Sequence, residues 1–404
     1  MNETPKAPLS GIRVLDLSRV IAGPLCTMLL ADMGAEVVKI ENPERGDDSR
    51  HITPPEVAGE SHFYLAFNRN KKSVALDIRT PEGKKIIHEL AAKSDVLVEN
   101  FRVGVMKRFG LDYDSIKERH PHLIYVSISA YGQTGSLSYR PGFDPIMQAE
   151  FGMMSITGEA DGPPLRHPMS IIDTFTANHA ATAVCAALFA RGDSGKGQRL
   201  EMSLMNSAVV GLGNVANYYL VSGESPKRIG NTHMTSVPST MFETKTGPIY
   251  MATGSDRLFG QVCKNVLDRP DIIENPKFAE PTARSANRDE LYALLRAIFA
   301  SETREHWLEK MRDLPAGAVR TISDALESKE VAENNLVRTV DHPTAGSVKL
   351  VGSPYRFSET PTVEPKAPPL LGADTEDVLI NLIGYDEATI AELREKRVVG
   401  PFPA

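Results

Sequence analysis

At 404 residues the chain exceeds what one hydrophobic core ordinarily organises, about 250 residues, and calls for two or three domains or sub-domains. Apolar residues make up 41% and charged residues 24%, which excludes a disordered, fibrous or membrane-embedded protein. With 45 basic and 52 acidic residues the formal charge is -7, so no overall field attracts nucleic acid or an anionic bilayer, and a polyanionic ligand needs a local basic site.

Met1 to Ser10 lacks the basic start and apolar run of a signal peptide, and no stretch reaches the ~18 apolar residues of a membrane span, so a cytoplasmic protein is expected. Gly11 to Leu17 alternates as a strand does. Gly23-Pro24 opens a helical run through Leu30, and Gly34 closes it before the strand Val37 to Ile40. The pattern recurs with a strand at Val74 to Ile78, Thr80-Pro81 as cap and first helical residue, a helix to Ala92, and a strand over Asp95 to Asn100. A third repeat has a helix from Arg102 to Arg108 stopped near Gly110, a helix begun by Asp114, and the strand Leu123 to Ser129.

Such alternation predicts an α/β fold with a parallel sheet, and ligands bound by loops near Val20, Asn100 and Ala130. An Ala-rich helix from Asp173 to Arg191 follows, then the turn Gly192 to Gly197 and a strand from Gln198 to Met202. From 205 to 235 the rhythm weakens. A hairpin over Phe242 to Ala252, covered by helices near Leu291 to Ala300 and Glu305 to Met311, marks a smaller domain. The Pro-rich stretch from Pro343 to Pro369 reads as a surface crossing, and short helices near Glu376 to Ile383 and Asp386 to Lys396 end the chain.

The three cysteines, Cys26, Cys185 and Cys263, are far apart and form no CxxC, so core packing is expected rather than disulfides or a metal site. The first β-α turn has one glycine where a dinucleotide fingerprint needs three, and there is no P-loop, nucleophile elbow or HExxH pair. Arg69, Lys71, Lys72 and Arg79, and then Arg102, Lys107 and Arg108, read first as solvated surface charges. Asp173 follows two apolar residues at the start of a nearly uncharged helix. It is either an N-cap or a carboxylate nucleophile for an activated acyl group. His179 and Arg166 have bland readings at least as good as catalytic ones.

These segments together resemble the class III coenzyme A transferases of the CaiB/BaiF type, which include formyl-CoA:oxalate and carnitine CoA-transferases. The resemblance rests on Leu9-Ser10-Gly11-Ile12-Arg13-Val14-Leu15-Asp16-Leu17, Ala22-Gly23-Pro24, Gly34 to Glu41, Asn68-Arg69-Asn70-Lys71-Lys72-Ser73, Glu99-Asn100-Phe101, Ala130 to Gly135 and Gly195-Lys196-Gly197-Gln198. It covers nearly the whole chain. Asn68 to Ser73, His342 to Gly346 and Ala367 to Gly372 are most similar to the succinyl-CoA:glutarate type.

The resemblance implies that Asp173 is acylated by an acyl-CoA, giving a mixed anhydride and then an aspartyl-CoA thioester, with helix-start N–H groups favouring its ionised form. It implies CoA contacts at Val20, Ile21, Leu76, Arg79, Asn100, Phe101, Arg108 and Phe109. Asn42 and Pro141 stand where the formyl-CoA enzyme has arginine and lysine, and Arg140 is the candidate substitute for the latter. The Thr253 to Arg257 stretch replaces that enzyme's glycine loop, so oxalate is a poor substrate and a dicarboxylate such as succinate or a C4 to C6 acid is expected. CoA is a substrate here; no prosthetic group or metal is implied.

The similar α-methylacyl-CoA racemases need a histidine, whereas this chain has Gly142-Phe143-Asp144. A CoA-binding protein without turnover is the third reading and leaves Asp173 as a cap. The architecture implied is a Rossmann-like large domain from residues 1–200 and 346–404, a small α+β domain over 226–325, linkers at 201–225 and 326–345, and an interlocked homodimer.

Overall fold

The computed structural model describes residues 5–402; the first four residues of the opening segment and the last two of the chain lie outside them. These residues form two compact units, one holding the chain up to Met153, then 167–217 and everything from Glu330, the other holding 154–166 and 218–329.

In the first unit six strands form one parallel sheet: β1 (Arg13–Asp16), β2 (Glu36–Glu41), β3 (Lys71–Ala75), β4 (Val96–Glu99), β5 (Ile124–Ser129) and β6 (Arg199–Ser203). Their spatial order is β3-β2-β1-β4-β5-β6. The chain therefore works outward from β1 in one direction and from β4 in the other. The crevice beyond the carboxyl ends of β1 and β4 is the switch point where such sheets bind ligands.

Alternate residues of the central strands β1, β2, β4 and β5 enter opposite cores. Val14, Val37, Val98 and Val126 pack with helix α1 (Ala22–Asp32), whereas Leu15, Val38, Val74 and Leu97 pack with helix α2 (Pro81–Ala91) and the tail helices Thr375–Ile383 and Glu387–Glu395. Burial on both faces is why these strands read as nearly continuous apolar runs. In α2 the Thr80 hydroxyl accepts from Gly83 N–H and Pro81 opens the first turn, as the sequence implies. Helix α3 (Val105–Phe109) starts three residues later than expected because Gly104 sits at φ +86°, outside the helical region. Two further helices bear on the site, α4 (Asp144–Glu150) and the long α5 (Ile171–Ser194), and α6 (Leu204–Gly211) follows β6.

Two expectations are corrected in this unit. Strand β3 begins at Lys71 rather than Val74, because Lys71 and Ser73 point into a buried polar cluster and so disguise the strand's first half. The expected linker at 326–345 and the stretch after Pro343 are not wholly irregular: β10 (Val337–His342) and β11 (Gly346–Val351) make an antiparallel hairpin whose Val340, Val348 and Leu350 pack on Leu65. The second unit holds the expected hairpin, β7 (Ser239–Phe242) with β8 (Ile249–Ala252), extended by β9 (Ala316–Ala318). Phe242, Phe299 and Trp307 form its aromatic core under helices Arg288–Phe299 and Arg304–Lys310. Of the cysteines, Cys26 and Cys263 are buried, and Cys185 is half-buried against the α1 core.

Gly197 shows how a sequence motif maps onto packing. Its N–H donates to Pro121 O, and a Cβ placed on it would lie 2.1 Å from Leu123 O, a backbone atom that cannot swing aside. Gly197→Ala is expected to destabilise the protein by about 1–3 kcal/mol, seen as a lower urea midpoint. An unchanged midpoint would refute this account of the glycine.

Candidate active site

The loop leaving β1 is held from several sides. Asp16, at the end of the strand and fully buried, accepts from Ser18 N–H, the Ser18 and Thr27 hydroxyls, and the Lys71 ammonium. Lys39 Nζ donates to Ser18 O and pairs with Asp47 at 2.8 Å. Asp47 in turn accepts from Val20 N–H, and the Lys39 charge and these bonds hold its carboxyl far below the usual range despite burial. Asn100, just past β4, receives Arg19 N–H and donates to Arg19 O, each at 2.8 Å, which fixes the orientation of its carboxamide. The result is that Val20 stands at φ +70°, a conformation a β-branched residue does not adopt unforced.

Two cavities open around this loop. One, of about 280 Å³, is lined by Val20, Ile21, Asn100, Phe101, Arg140 and Asp173, among others. The second, of about 180 Å³, is lined by Asn42, Leu76, Arg79, Phe101 and Phe109 among others. Arg19 and Phe101 belong to both, with the guanidinium 4.9 Å from the ring centre, so this pair forms the shared wall. Glu99 braces it by accepting from Phe101 N–H at 2.9 Å, and burial pushes its carboxyl up to about 7.

Of the expected site residues, all but Arg108 line these two cavities. Arg108 is exposed on α3 and borders neither. Arg79 is exposed and gripped at two points by Asp77, both contacts 2.8 Å. Arg140 lies on the Asp173 side, paired with Glu150 at 2.6 Å and stacked 5.2 Å from the Tyr131 ring. Asn42 folds its carboxamide over the Glu44 and Arg45 N–H groups. His179 bonds Ser207 at 3.2 Å and does not line the Asp173 cavity. Thr253 to Arg257 belongs to the second unit, where Ser255 caps the helix Asp256–Gln261.

The surface reading of the first basic cluster fails for two of its members. Arg69 and Lys71 are 5% and 6% exposed, in ion pairs with Asp32 and Asp16 respectively. Their partners lie 37 and 55 residues away in the chain, which is why sequence spacing gave no sign of them.

Asp173 is not an N-cap. Helix α5 begins at Ile171, with Ser170 before it, and Asp173 stands half-buried in the first turn. Nor do the helix-start N–H groups serve it: those of Ile172 and Asp173 donate to Asp144 Oδ2, at 2.6 and 3.1 Å. Burial first, and then the Asp144 charge, push the Asp173 carboxyl up to about 7. This reverses the expectation that the helix start favours its ionised form. Asp144 was missed as a partner because it sits 28 residues before Ile172 and, ahead of Pro145, looks like an ordinary opening of its own helix.

A half-buried carboxylate in a cavity at one end and a largely apolar cleft edged by Arg79 at the other suit a long substrate that carries an electrophile and an anionic tail. Comparison with known proteins agrees. The family model "CoA-transferase family III" matches residues 9–375. The human succinyl-CoA:glutarate CoA-transferase is 41% identical over 394 residues, spanning 97% of this chain and 90% of that one. The succinyl-CoA--D-citramalate CoA-transferase of Chloroflexus aurantiacus is 32% identical over 98% of this chain and 100% of its own. A crystal structure of a CAIB/BAIF family protein from Brucella suis superposes with a TM-score of 0.84 at 34% identity, covering 93% of this chain and 100% of that one. A match that runs through both cavities and nearly the whole chain makes this protein a member of CoA-transferase family III, and an enzyme of that class.

Proposed function

We propose that the enzyme moves CoA from succinyl-CoA to a second dicarboxylate, glutarate or a C4 to C6 relative, with Asp173 as the acylated residue. The observation that carries this reading is the Asp173 carboxylate in a cavity that shares the Arg19–Phe101 wall with the Leu76, Arg79 and Phe109 cleft. The thioester end of the donor lies at Asp173 and the nucleotide end runs past Phe101 toward Arg79.

Asp173 attacks the thioester carbonyl, the C–S bond breaks, and CoA leaves as a thiolate. The thiolate attacks the Asp173 carbonyl of the mixed anhydride, releasing the donor acid and leaving an aspartyl-CoA thioester. The acceptor carboxylate attacks that thioester, its C–S bond breaks to release CoA thiolate a second time, and a second anhydride is left on Asp173. Thiolate attack on the acceptor's carbonyl then forms the product and frees Asp173. No water or net proton is consumed, so the acyl activation is conserved.

The names of the relatives support a dicarboxylate donor and acceptor. Phe143, 68% exposed at the start of α4, offers no imidazole for α-epimerisation. Two copies are proposed to interlock as a homodimer, in keeping with the exposed Phe189 and Val210 in the first unit and Leu220 and Val221 in the second. Among the described residues no helix is long and apolar enough to cross a membrane, and a cytoplasmic enzyme is proposed.

The test incubates the enzyme with succinyl-CoA and a panel of mono- and dicarboxylates and follows the CoA esters by mass spectrometry. Glutaryl-CoA should appear as succinyl-CoA falls, and hydroxylamine should trap the Asp173 peptide as its hydroxamate. Exchange with monocarboxylates alone would overturn the substrate assignment, and α-epimerisation without exchange would overturn the chemistry.

A further inference from the structure

Asp144 is 3% exposed and bound on all sides by this unit. Besides the N–H groups of Ile172 and Asp173, it accepts from Gln148 Nε2 at 2.6 Å. Gln148, one turn later on α4, accepts from His167 N–H at 2.9 Å, so the same helix also holds the segment leading into α5. The pair therefore fixes both the start of α5 and its approach. Any good N-cap could do this much.

What a neutral cap could not do is place a fixed negative charge beside the Asp173 carboxylate, whose oxygens accept no hydrogen bond among the described residues. Burial and the Asp144 charge are the influences on the Asp173 carboxyl among the described residues, with no offsetting cation. Around the cavity, Arg19 is paired with Asp48 and Arg140 with Glu150, while Arg102 is exposed at its rim. On the elements packed against α5, Asp32 of α1 is bonded to Arg69, Arg199 and Glu201 of β6 pair with each other, and β5 and α6 carry no charged residue. His167 precedes the helix and contributes its backbone N–H.

We propose that Asp144 is a positioning residue that holds Asp173 in place and, through its own charge, makes the free Asp173 carboxylate less stable than the neutral anhydride and thioester it forms. This rests on Asp173 being the acylated residue. Acylation removes one of two neighbouring negative charges from a water-poor site, so repulsion is relieved in both covalent intermediates and restored when the product leaves. The helix-start N–H groups, occupied by Asp144, cannot stabilise the resting Asp173 carboxylate and so do not dull its attack.

Asp144→Asn keeps an oxygen that can accept the same N–H groups but removes the charge. In the parent, exchange should rise with pH through about 7 as Asp173 ionises. In the variant that rise should move to lower pH by about one pH unit, and the steady-state fraction of hydroxylamine-trapped Asp173 should fall by about tenfold. Asp144→Ser, capping without charge, reads the same effect should the asparagine variant not fold. An unchanged pH profile and trapped fraction in a folded uncharged variant would overturn the proposal, and so would a parent profile already flat above pH 5. If Asp173→Asn itself retains exchange, the fault lies with the identity of the acylated residue and not with Asp144 alone.

Discussion

Replacing Asp173 by alanine is expected to lower CoA exchange by on the order of 10⁴-fold or more, the loss typical of removing a covalent nucleophile. Binding of free CoA should survive, because the Leu76, Arg79 and Phe109 cleft is built by β2, the loops that follow β1 to β4, and Phe109 of α3, and none of its lining residues lies on α5. Rapid-mixing kinetics and equilibrium titration with CoA separate the two effects. Exchange within tenfold of the parent would sink the covalent route.

The same residue should cost stability. The Asp173 carboxyl, ordinarily near 3.8, is pushed up to about 7, so it holds its proton more tightly folded than unfolded. The penalty is absent below the unfolded value, grows as pH rises, and is complete above about 7. Asp173→Asn should therefore be more stable than the parent at pH 8, by roughly 2 kcal/mol after allowing for solvent at this half-buried group. The gain should shrink toward pH 4. Thermal unfolding at both pH values measures it, and a gain that is larger in acid would contradict the sign.

Much of this fold was legible because its central strands are buried on both faces and its helices are bounded by Pro, Thr and Gly in the ordinary way. The loops near Val20 and Asn100 followed from that alternation alone. Asp173 was legible as a residue but not in its electrostatics. A helix start attracts anions, and nothing in the local sequence says that a carboxylate 28 residues upstream occupies those N–H groups. The burial of Arg69 and Lys71 was hidden for the same reason: they are counter-ions to acids on α1 and β1 that lie far from them in the chain. The hairpin of β10 and β11 was hidden by proline-rich flanks, although Val348 and Leu350 alternate as a strand requires.

Asp16→Ala is expected to be the most destabilising single change in the first unit. Asp16 and Lys71 are both fully inaccessible at their side chains, and removing one partner of a buried pair costs about 3–5 kcal/mol. Burial already pushes the Lys71 ammonium down to about 8, with Asp16 as the main opposing influence. Without Asp16 the lysine must either remain charged in an apolar site or give up its proton. A lysine whose folded value lies below its unfolded one destabilises the protein fully at lower pH and progressively less as pH rises toward the unfolded value. The loss in Asp16→Ala should accordingly be smaller at pH 9.5 than at pH 7. Asp16→Ala combined with Lys71→Met should recover part of it, since no unpaired charge is left behind. Denaturant unfolding of the parent and the two variants decides this, and a double variant no more stable than Asp16→Ala would show that the lysine charge is not the cause. The recovered fold should still bind acyl-CoA poorly. Ser18 loses its carboxylate anchor whether or not Lys71 is present, and with it goes one of the restraints on the loop that carries Val20 at φ +70° beside the Asp173 cavity.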